Sequence, residues 1–281
     1  MRLASFIIDG DEKYGIVTDS GVIDLTRHVG ERYPDLKAVI ADGATDGLAR
    51  YSESRPHYDP TEVTWLPVIP NPGKILCIGV NYEDHRAETA NDEVSYPAMF
   101  LRTTESQTGH GTAIIRPVES HTLDYEAEIA LIIGTEGRRI QRHEAWAHIA
   151  GYSCYNDGSV REFQRHTTQY TAGKNFPSTG AFGPWMVTAD EIPPETVLTL
   201  TCHLNGELMQ KATTDQMIFG IPAIIEYVSR VTRLQPGDVV VTGTPGGVGA
   251  RRTPPVWMKP GDTVTVSVDR IGVLENTIVD G

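Results

Sequence analysis

Residues 123–134, LDYEAEIALIIG, combine a buried-strand pattern with three acids at alternate positions, Asp124, Glu126 and Glu128. The apolar, β-branched run that follows the acids and stops at Gly134 favours a strand over a helix. Alternate side chains of a strand point to one face, so the carboxylates would lie in a row, about 7 Å apart. Neighbouring anions at the edge of a core are unfavourable unless a cation or protons neutralise them.

A strand that emerges into solvent with a charged outer face would carry the same acids. If they are buried, a hard divalent cation such as Mg²⁺, Mn²⁺ or Ca²⁺ is the simplest partner, because these ions prefer carboxylate oxygens. No Cys or His lies at ligand spacing beside the acids, which argues against zinc.

The overall composition is typical of a globular protein. The chain has 281 residues, 40% of them hydrophobic, which suffices for one large domain or one large and one small domain. No apolar run reaches the roughly 18 residues of a membrane span, and MRLASFIIDGDEK has acids directly after its short apolar piece, unlike a signal peptide. Cys77, Cys154 and Cys202 lie singly in apolar runs, which indicates buried thiols in a reducing compartment. We therefore expect a cytoplasmic protein that does not bind membranes.

The net charge of −13 and the lack of any basic run longer than two residues argue against nucleic-acid binding. A small anionic substrate is compatible with this charge, because a bound metal and one or two cationic side chains can reverse the potential locally.

Residues 1–71 are expected to form a small N-terminal α+β domain. Three strand patterns, FII, YGIV and VIDL, lie within residues 2–26, separated by Asp9-Gly10 and Ser20-Gly21, which favour hairpin turns. A helix is expected around residues 32–50. The proline-rich stretch RPHYDPTEVTWLPVIPNPGK is incompatible with regular structure, so we interpret it as a linker into a second domain, residues 72–281.

The second segment contains mostly strand patterns. They are ILCIGVNY, AIIRP, EIALIIG, IAGYSCYND, PWMVT, VLTLTCHLNG, DVVVTG, TVTVSV and GVLENTIV. IPAIIEYVSRV has helical spacing of its apolar residues. EDHRAETANDEVS is polar on every side, so a helix there has no face to bury and suits a mobile lid. Because strands outnumber helices, the sequence predicts a mainly β, α+β fold built as a rolled or sandwiched sheet.

A further acid, Asp157, lies in GYSCYNDGSVREFQ, where a strand ends and a helix begins. Aspartate at such a position is often a helix cap. However, Ser159 and Glu162 form the S-x-x-E pattern of a capping box, so we expect Ser159 to cap the helix. Asp157 is then available as another metal ligand.

Three other features could supply catalytic groups. His85 and Glu88 are three residues apart on the polar helix, where the carboxylate could orient the imidazole and raise its basicity, although solvated surface residues show the same spacing. Lys174, in TAGKNF, could face an anionic oxygen or solvent. TGTPGGVG, residues 242–249, could bring backbone amides close to a carboxylate or enolate, or serve as a plain turn. It lacks the G-K-[ST] of a P-loop.

In combination, these features resemble the fumarylacetoacetate hydrolase family over residues 72–281. The matching blocks, in the family's order, are IGVNYEDHRAE, PAMFLRTTES, LDYEAEIALIIG, GYSCYNDGSVREFQ, GKNF followed by GPW, LNGELMQ, LQPGDVVVTGTPGGVG and MKPGDTVTV. The resemblance implies a mixed β-sandwich roll as the catalytic domain, preceded by the small N-terminal domain, and usually a homodimer.

The resemblance also implies the ligands of a metal ion. Glu126 and Glu128 of the E-x-E strand and Asp157 of the N-D block would bind one Mg²⁺ or Mn²⁺ per subunit. Asp124 would be a neighbour that is not a ligand.

Catalytic and substrate-binding roles are implied in the same way. His85 and Glu88 would activate water on a lid that closes over the substrate, and Lys174 would stabilise a developing oxyanion. The implied contacts to the substrate or to residues around it are Arg102, Arg161, Gln164, Gly243 and Thr244. The family's F-x-K block reads Phe100-Leu101-Arg102 here, Glu162 stands where Asp is common, and Pro177 replaces an acid, so the substrate's shape can differ.

The reaction that we expect is hydrolysis of a C–C bond in an acylpyruvate-like 2,4-dioxo acid, because His85 and Glu88 are both present to activate water. In this mechanism the metal acts as a Lewis acid that stabilises an enolate of pyruvate type. Isomerisation or decarboxylation of a 2-oxo or 2-hydroxydienoic dicarboxylic acid, as in the degradation of aromatic compounds, would use the same enolate. A metal-stabilised binding protein without turnover is the remaining alternative.

Overall fold

The computed structural model describes residues 1–89 and 95–281. The strands in these residues are β1 (Arg2–Ile8), β2 (Asp11–Thr18), β3 (Gly21–Asp24), β4 (Thr64–Trp65), β5 (Ile75–Gly79), β6 (Ala98–Arg102), β7 (Gln107–Thr108), β8 (Ile114–Arg116), β9 (Leu123–Asp124), β10 (Ala127–Ile133), β11 (Ile149–Asn156), β12 (Ser159–Val160), β13 (Gly180–Thr188), β14 (Thr199–Leu204), β15 (Glu207–Thr213), β16 (Val239–Val241), β17 (Thr263–Val268) and β18 (Gly272–Asp280). The α-helices are α1 (Thr26–Val29), α2 (Leu36–Ala41), α3 (Glu83–Thr89), α4 (Arg161–Gln164), α5 (Thr171–Lys174) and α6 (Ile221–Val231).

Two mixed sheets form the framework, as the mainly β prediction requires. The larger sheet has the strand order β3-β2-β1-β13-β11-β10-β16-β5-β6, and a five-stranded sheet has the order β15-β14-β17-β18-β8. A hydrophobic core between the sheets combines Ile129 and Leu131 of β10 with Leu200 of β14 and Val266 of β17. The fold is therefore an α+β sandwich dominated by strands.

Strand β10 is buried on both faces, and its two-residue period decides where the acids lie. The odd positions Ile129 and Leu131 enter the core between the sheets, whereas Ala130 and Ile132 enter a second core that includes Leu36 of α2. Glu126 and Glu128 share the even-numbered register of this second face. The acids thus begin a face that becomes apolar further along the strand.

The N-terminal hairpins confirm the strand patterns in residues 2–26. Strands β1 and β2 pair antiparallel, and the residues between them, Asp9 and Gly10, have φ values of 53° and 87°, as a type I′ turn requires. Strand β1 also pairs with β13, so the N-terminal strands extend the main sheet. The domain boundary at residues 71 and 72 stays a prediction.

The helix expected at residues 32–50 is wrong in extent. Helix α2 spans only Leu36–Ala41, with its first turn capped by the Asp35 side chain, which accepts a hydrogen bond from Ala38 N at 2.7 Å. Gly43 then adopts φ 62°, and a separate 3-10 helix spans Asp46–Tyr51. A left-handed glycine ends an α-helix, which the apolar spacing alone did not reveal.

The expected helix IPAIIEYVSRV is confirmed as α6, whose Ile224, Ile225 and Val228 enter the core between the sheets. Helix α3 covers the first part of the polar segment EDHRAETANDEVS, and residues 90–94 lie outside the described residues. No helix in residues 1–89 and 95–281 is long and apolar enough to cross a membrane.

Candidate active site

Three buried carboxylates converge where β10 begins and β11 ends. Ala127 of β10 pairs with Asn156 of β11, so Glu126 and Glu128 lie beside Asp157, which directly follows β11. A backbone hydrogen bond of 2.9 Å from Asp157 N to Glu126 O fixes this junction. One carboxylate oxygen from each of Glu126, Glu128 and Asp157 lies within 4.8 Å of the other two. The structure thus brings together the three acids predicted as metal ligands.

Lys174 and Arg102 pair with two of these acids. The Lys174 ammonium lies 2.6 Å from Oε2 of Glu126 and 2.6 Å from Oδ2 of Asp157. On the opposite side of Asp157, the Arg102 guanidinium donates to Oδ1 at 2.5 Å. Both cations are buried, so these ion pairs form away from bulk water.

Arg161 extends the same line of charges in the other direction. Its Nη2 lies 2.7 Å from Oε1 of Glu126, and its Nε donates to Oδ2 of Asp124 at 2.8 Å. Asp124 also accepts hydrogen bonds from the backbone of Gly249 and Ala250. Asp124 therefore holds Arg161 and the segment after the glycine-rich loop, which agrees with its expected place outside the ligand set. The charges alternate in sign in the order Asp124, Arg161, Glu126, Lys174, Asp157 and Arg102.

Glu128 lies outside this line and is the acid without a cationic partner. Within the described part of the chain it forms no ion pair, and its Oε2 accepts a hydrogen bond of 2.5 Å from Gly243 N. Burial, followed by the negative charges of Asp157 and Glu126, raises the pKa of Glu128 well above its usual value. Burial also acts to raise the pKa of Glu126, but the charges of Arg161 and Lys174 outweigh it and lower that pKa to about 2.

The donor set fits a hard divalent cation. With every group ionised, the cluster contains four carboxylates (Asp124, Glu126, Glu128 and Asp157) and three cationic side chains (Arg102, Arg161 and Lys174). The uncompensated charge belongs to Glu128, which is one of the three converging acids. Three carboxylate oxygens at this spacing are the ligand type that Mg²⁺ and Mn²⁺ prefer.

The glycine-rich segment after β16 contacts the Glu128 carboxylate. Gly243 has φ 95°, and a Cβ atom there would lie 2.6 Å from Cβ of Asn81, so only glycine can present this amide to Glu128. The Thr244 hydroxyl donates to Ala127 O at 3.0 Å and accepts from the Gln210 amide at 2.8 Å. Gln210 was not among the residues expected for the site, although it ends the family block LNGELMQ.

Helix α3 carries the predicted imidazole–carboxylate pair. His85 Nδ1 lies 2.7 Å from Oε1 of Glu88, and Oε2 of Glu88 accepts from Gly247 N at 3.0 Å. Because an ionised carboxylate only accepts hydrogen bonds, Nδ1 of a neutral His85 carries the hydrogen, and Nε2 carries the lone pair. Burial would raise the pKa of Glu88, but the hydrogen bonds from His85 and Gly247 lower it. Glu88 thereby orients the imidazole and joins α3 to the glycine-rich loop.

A cavity of about 350 Å³ opens onto these groups. Its wall includes seven residues predicted for the site, namely His85, Glu126, Glu128, Arg161, Gln164, Lys174 and Thr244. Phe100 and Tyr170 add an apolar side, and the Lys174 ammonium lies 5.0 Å from the Phe100 ring centroid. The cavity therefore has a charged floor and one aromatic wall.

Arg102 is placed differently from the substrate contact that we expected. Its side chain lies behind Asp157, where it also donates to Gly158 O at 3.0 Å and Thr179 Oγ1 at 2.9 Å, and it does not line the cavity. Gly243 is likewise outside the lining, because its amide is directed at Glu128. Arg161 does line the cavity, and its Nη1 donates to Gln164 Oε1 at 2.9 Å.

The capping box predicted for Ser159 and Glu162 is wrong. Helix α4 begins at Arg161, and Ser159 lies in the short strand β12 with its hydroxyl donating to Asp157 O at 2.8 Å. The Glu162 carboxylate accepts from Ser120 instead. The S-x-x-E pattern failed because pairing of β12 with β9 holds Ser159 two residues before the helix.

Comparisons with known proteins agree with the family resemblance of the site residues. Residues 74–279 match the family model "Fumarylacetoacetate (FAA) hydrolase C-terminal". The chain is 37% identical to oxaloacetate tautomerase FAHD2B of Bos taurus over 268 residues, which cover 92% of this chain and 84% of that one. That relative is named as mitochondrial, and the cytoplasmic location expected for this chain stays a prediction.

Two solved structures superimpose over all of both chains. Fumarylacetoacetate hydrolase from Exiguobacterium antarcticum gives a TM-score of 0.89 at 33% identity. Maleylpyruvate hydrolase from Sphingobium sp. SYK-6, in complex with manganese(II) and pyruvate, gives a TM-score of 0.83 at 29% identity. The chain belongs to the fumarylacetoacetate hydrolase family.

Proposed function

We propose that the protein is a divalent-metal-dependent enzyme that interconverts the keto and enol forms of a small 2-oxo dicarboxylic acid such as oxaloacetate. The observation that carries this proposal is a cavity lined by Glu126, Glu128 and the His85 imidazole, with the Asp157 carboxylate grouped with those of Glu126 and Glu128. The relative with 37% identity is named an oxaloacetate tautomerase, which supports this reaction over the C–C hydrolysis that the sequence favoured.

Glu126, Glu128 and Asp157 would hold one Mg²⁺ or Mn²⁺ per chain. When bound, the ion supplies a Lewis acid that stabilises negative charge developing on the 2-oxo oxygen. Lys174, buried between Glu126 and Asp157, pairs with both carboxylates and orients them. Thr244 fixes the edge of the cavity through its bond to Ala127 O.

Tautomerisation requires that a proton leave C3 of the substrate and that another be added at the 2-oxo oxygen. His85 is suited to accept the C3 proton, because Glu88 holds the hydrogen on Nδ1 and stabilises the imidazolium that forms. The aromatic wall of Phe100 and Tyr170 excludes part of the solvent from this transfer. The reverse direction uses the same groups with the proton returned to C3.

The second candidate is hydrolysis of an acylpyruvate-like 2,4-dioxo acid. The His85–Glu88 pair favours it as well, since the same imidazole can remove a proton from water that attacks the distal carbonyl. Maleylpyruvate hydrolase, with a TM-score of 0.83, is a structural relative whose name gives hydrolysis. The two reactions differ in whether a C–C bond breaks.

The test is a comparison of the two reactions in chelator-treated protein reconstituted with Mg²⁺ or Mn²⁺. We expect loss of the ultraviolet absorbance of enol-oxaloacetate to be faster than in buffer with the same metal, and an acylpyruvate to remain uncleaved. The variants His85→Ala and Glu128→Gln should lower the tautomerisation rate by about 10² or more. Cleavage of the acylpyruvate without tautomerisation would favour the second candidate, hydrolysis. If metal-loaded protein catalyses neither reaction, the binding protein without turnover is the alternative that remains.

The sequence also led us to expect a homodimer, and this remains a proposal. Light scattering on the purified chain measures the mass directly.

A further inference from the structure

Arg165 is an exposed residue of the cavity wall, and no side-chain partner for it lies among the described residues. It is the C-cap residue of α4, directly after Gln164, and it lines the cavity. In residues 1–89 and 95–281 its guanidinium makes no hydrogen bond or ion pair, whereas Arg161 in the same helix pairs with Asp124 and Glu126. In a chain with a net charge of −13, this cation is not paired with any acid of residues 1–89 and 95–281.

The position of Arg165 relative to the acid triad follows from the helix. Arg161 and Arg165 are four residues apart, so they lie on the same side of α4, about one turn or 5.4 Å along its axis. Arg161 contacts Glu126, one of the three converging acids. Both arginines line the cavity, and Arg161 is buried whereas Arg165 is exposed, so Arg165 lies nearer the opening of the cavity than Arg161 does.

The electrostatic surroundings of Arg165 are those of an anion site. Arg251, at the end of the 3-10 helix Gly249–Arg251, contributes a second cation to the lining of the cavity. Burial, followed by the positive charges of Arg161 and Arg251, lowers the pKa of Arg165. A carboxylate bound at Arg165 gains a charge-assisted hydrogen bond.

We propose that Arg165 is a specificity-determining residue that binds the second carboxylate of a 2-oxo dicarboxylic acid, while the 2-oxo acid end lies at Glu126, Glu128 and Asp157. The assignment of the 2-oxo acid end depends on the function proposed above. Arginine suits this role because its planar guanidinium can bind a carboxylate through two parallel hydrogen bonds. Monocarboxylic 2-oxo acids would bind without this contact.

The experiment compares two ligands that share the 2-oxo acid group and differ by one carboxylate, pyruvate and freshly dissolved oxaloacetate. Each is titrated calorimetrically into Mn²⁺-loaded wild-type protein, Arg165→Met and Arg165→Lys. Arg55→Met serves as the matched control, because Arg55 is an exposed arginine outside the cavity lining. Circular dichroism of each variant verifies that the fold is retained.

We expect Arg165→Met to weaken oxaloacetate binding about tenfold or more and to change pyruvate binding less than about twofold. Arg165→Lys should recover part of the loss, and Arg55→Met should leave both affinities unchanged. Equal effects of Arg165→Met on the two ligands would overturn the proposal, as would a wild-type protein that does not prefer oxaloacetate. A wild-type protein that binds oxaloacetate through Arg165 but does not tautomerise it would refute the proposed function and leave this assignment intact.

Discussion

The Arg102 guanidinium and the Asp157 carboxylate form an ion pair of 2.5 Å in which both side chains are buried. Lys174 pairs with the other carboxylate oxygen of Asp157, so cations hold this acid from two sides. Arg102 is itself held by Ser106 and Thr179. These contacts place Arg102 outside the cavity lining and beside Asp157, whose carboxylate we propose as a metal ligand that Arg102 positions.

Replacing Arg102 with methionine should destabilise the protein by about 3 to 5 kcal/mol, because a buried carboxylate loses one of its two cationic partners. Urea denaturation at pH 7 measures this free energy of unfolding. Arg116→Met is the control, since the Arg116–Asp280 pair lies at the surface with Asp280 56% exposed and should contribute no more than about 1 kcal/mol. Equal losses of unfolding free energy in the two variants would show that the buried Arg102–Asp157 pair stabilises the protein no more than the surface pair does.

Gly180 limits the space available to the Arg102 side chain. A Cβ atom at Gly180 would lie 2.7 Å from both Cζ and Nη2 of Arg102. We expect Gly180→Ala to displace the guanidinium and to lower Mn²⁺ affinity about tenfold or more, as loss of a residue that orients a ligand does. Gly47→Ala, where the added methyl group meets no atom within 4 Å, should leave the affinity unchanged. An unaltered affinity in Gly180→Ala would contradict the positioning role of Arg102.

The Glu88 carboxylate should stabilise the fold in a pH-dependent way. Its pKa is lowered in the folded state, so its stabilisation is present above the unfolded-state pKa of about 4.3 and is lost as the pH falls through the lower folded pKa. The difference in unfolding free energy between wild type and Glu88→Gln should be about 1 kcal/mol at pH 7 and should shrink below about pH 4.

Denaturation at pH 7, 5 and 3.5 measures this difference. Glu83→Gln, on the same helix with a side chain 63% exposed, should show a smaller difference at pH 7. A Glu88→Gln difference that grows as the pH falls would mean that the carboxylate is not stabilised by His85 and Gly247.

The proximity of the three acids proposed as metal ligands agrees with local rules, although the choice of Glu126, Glu128 and Asp157 over Asp124 came from the family resemblance. The two-residue period of β10 places Glu126 and Glu128 on one face, and the strand end at Asn156 places Asp157 beside them. The partners of Arg102 were not accessible, because residues 102, 157 and 179 meet only through the pairing of distant strands.

Local rules also failed where tertiary contacts or backbone geometry decided the outcome. The predicted capping box does not form, because β12 pairs with β9. The long helix expected at residues 32–50 is interrupted at Gly43. Strand β6 ends at Arg102 and carries Phe100 to the cavity, and it was not among the expected strands.

The proposed reaction depends on one divalent cation bound by Glu126, Glu128 and Asp157. A calorimetric titration of chelator-treated protein with Mn²⁺, together with the tautomerisation rate at each metal ratio, tests this dependence. We expect one Mn²⁺ per chain, activity that rises in proportion to occupancy, and loss of both in Glu128→Gln. Full activity in metal-free protein, or Glu128→Gln that binds Mn²⁺ as tightly as wild type, would rule out this metal site.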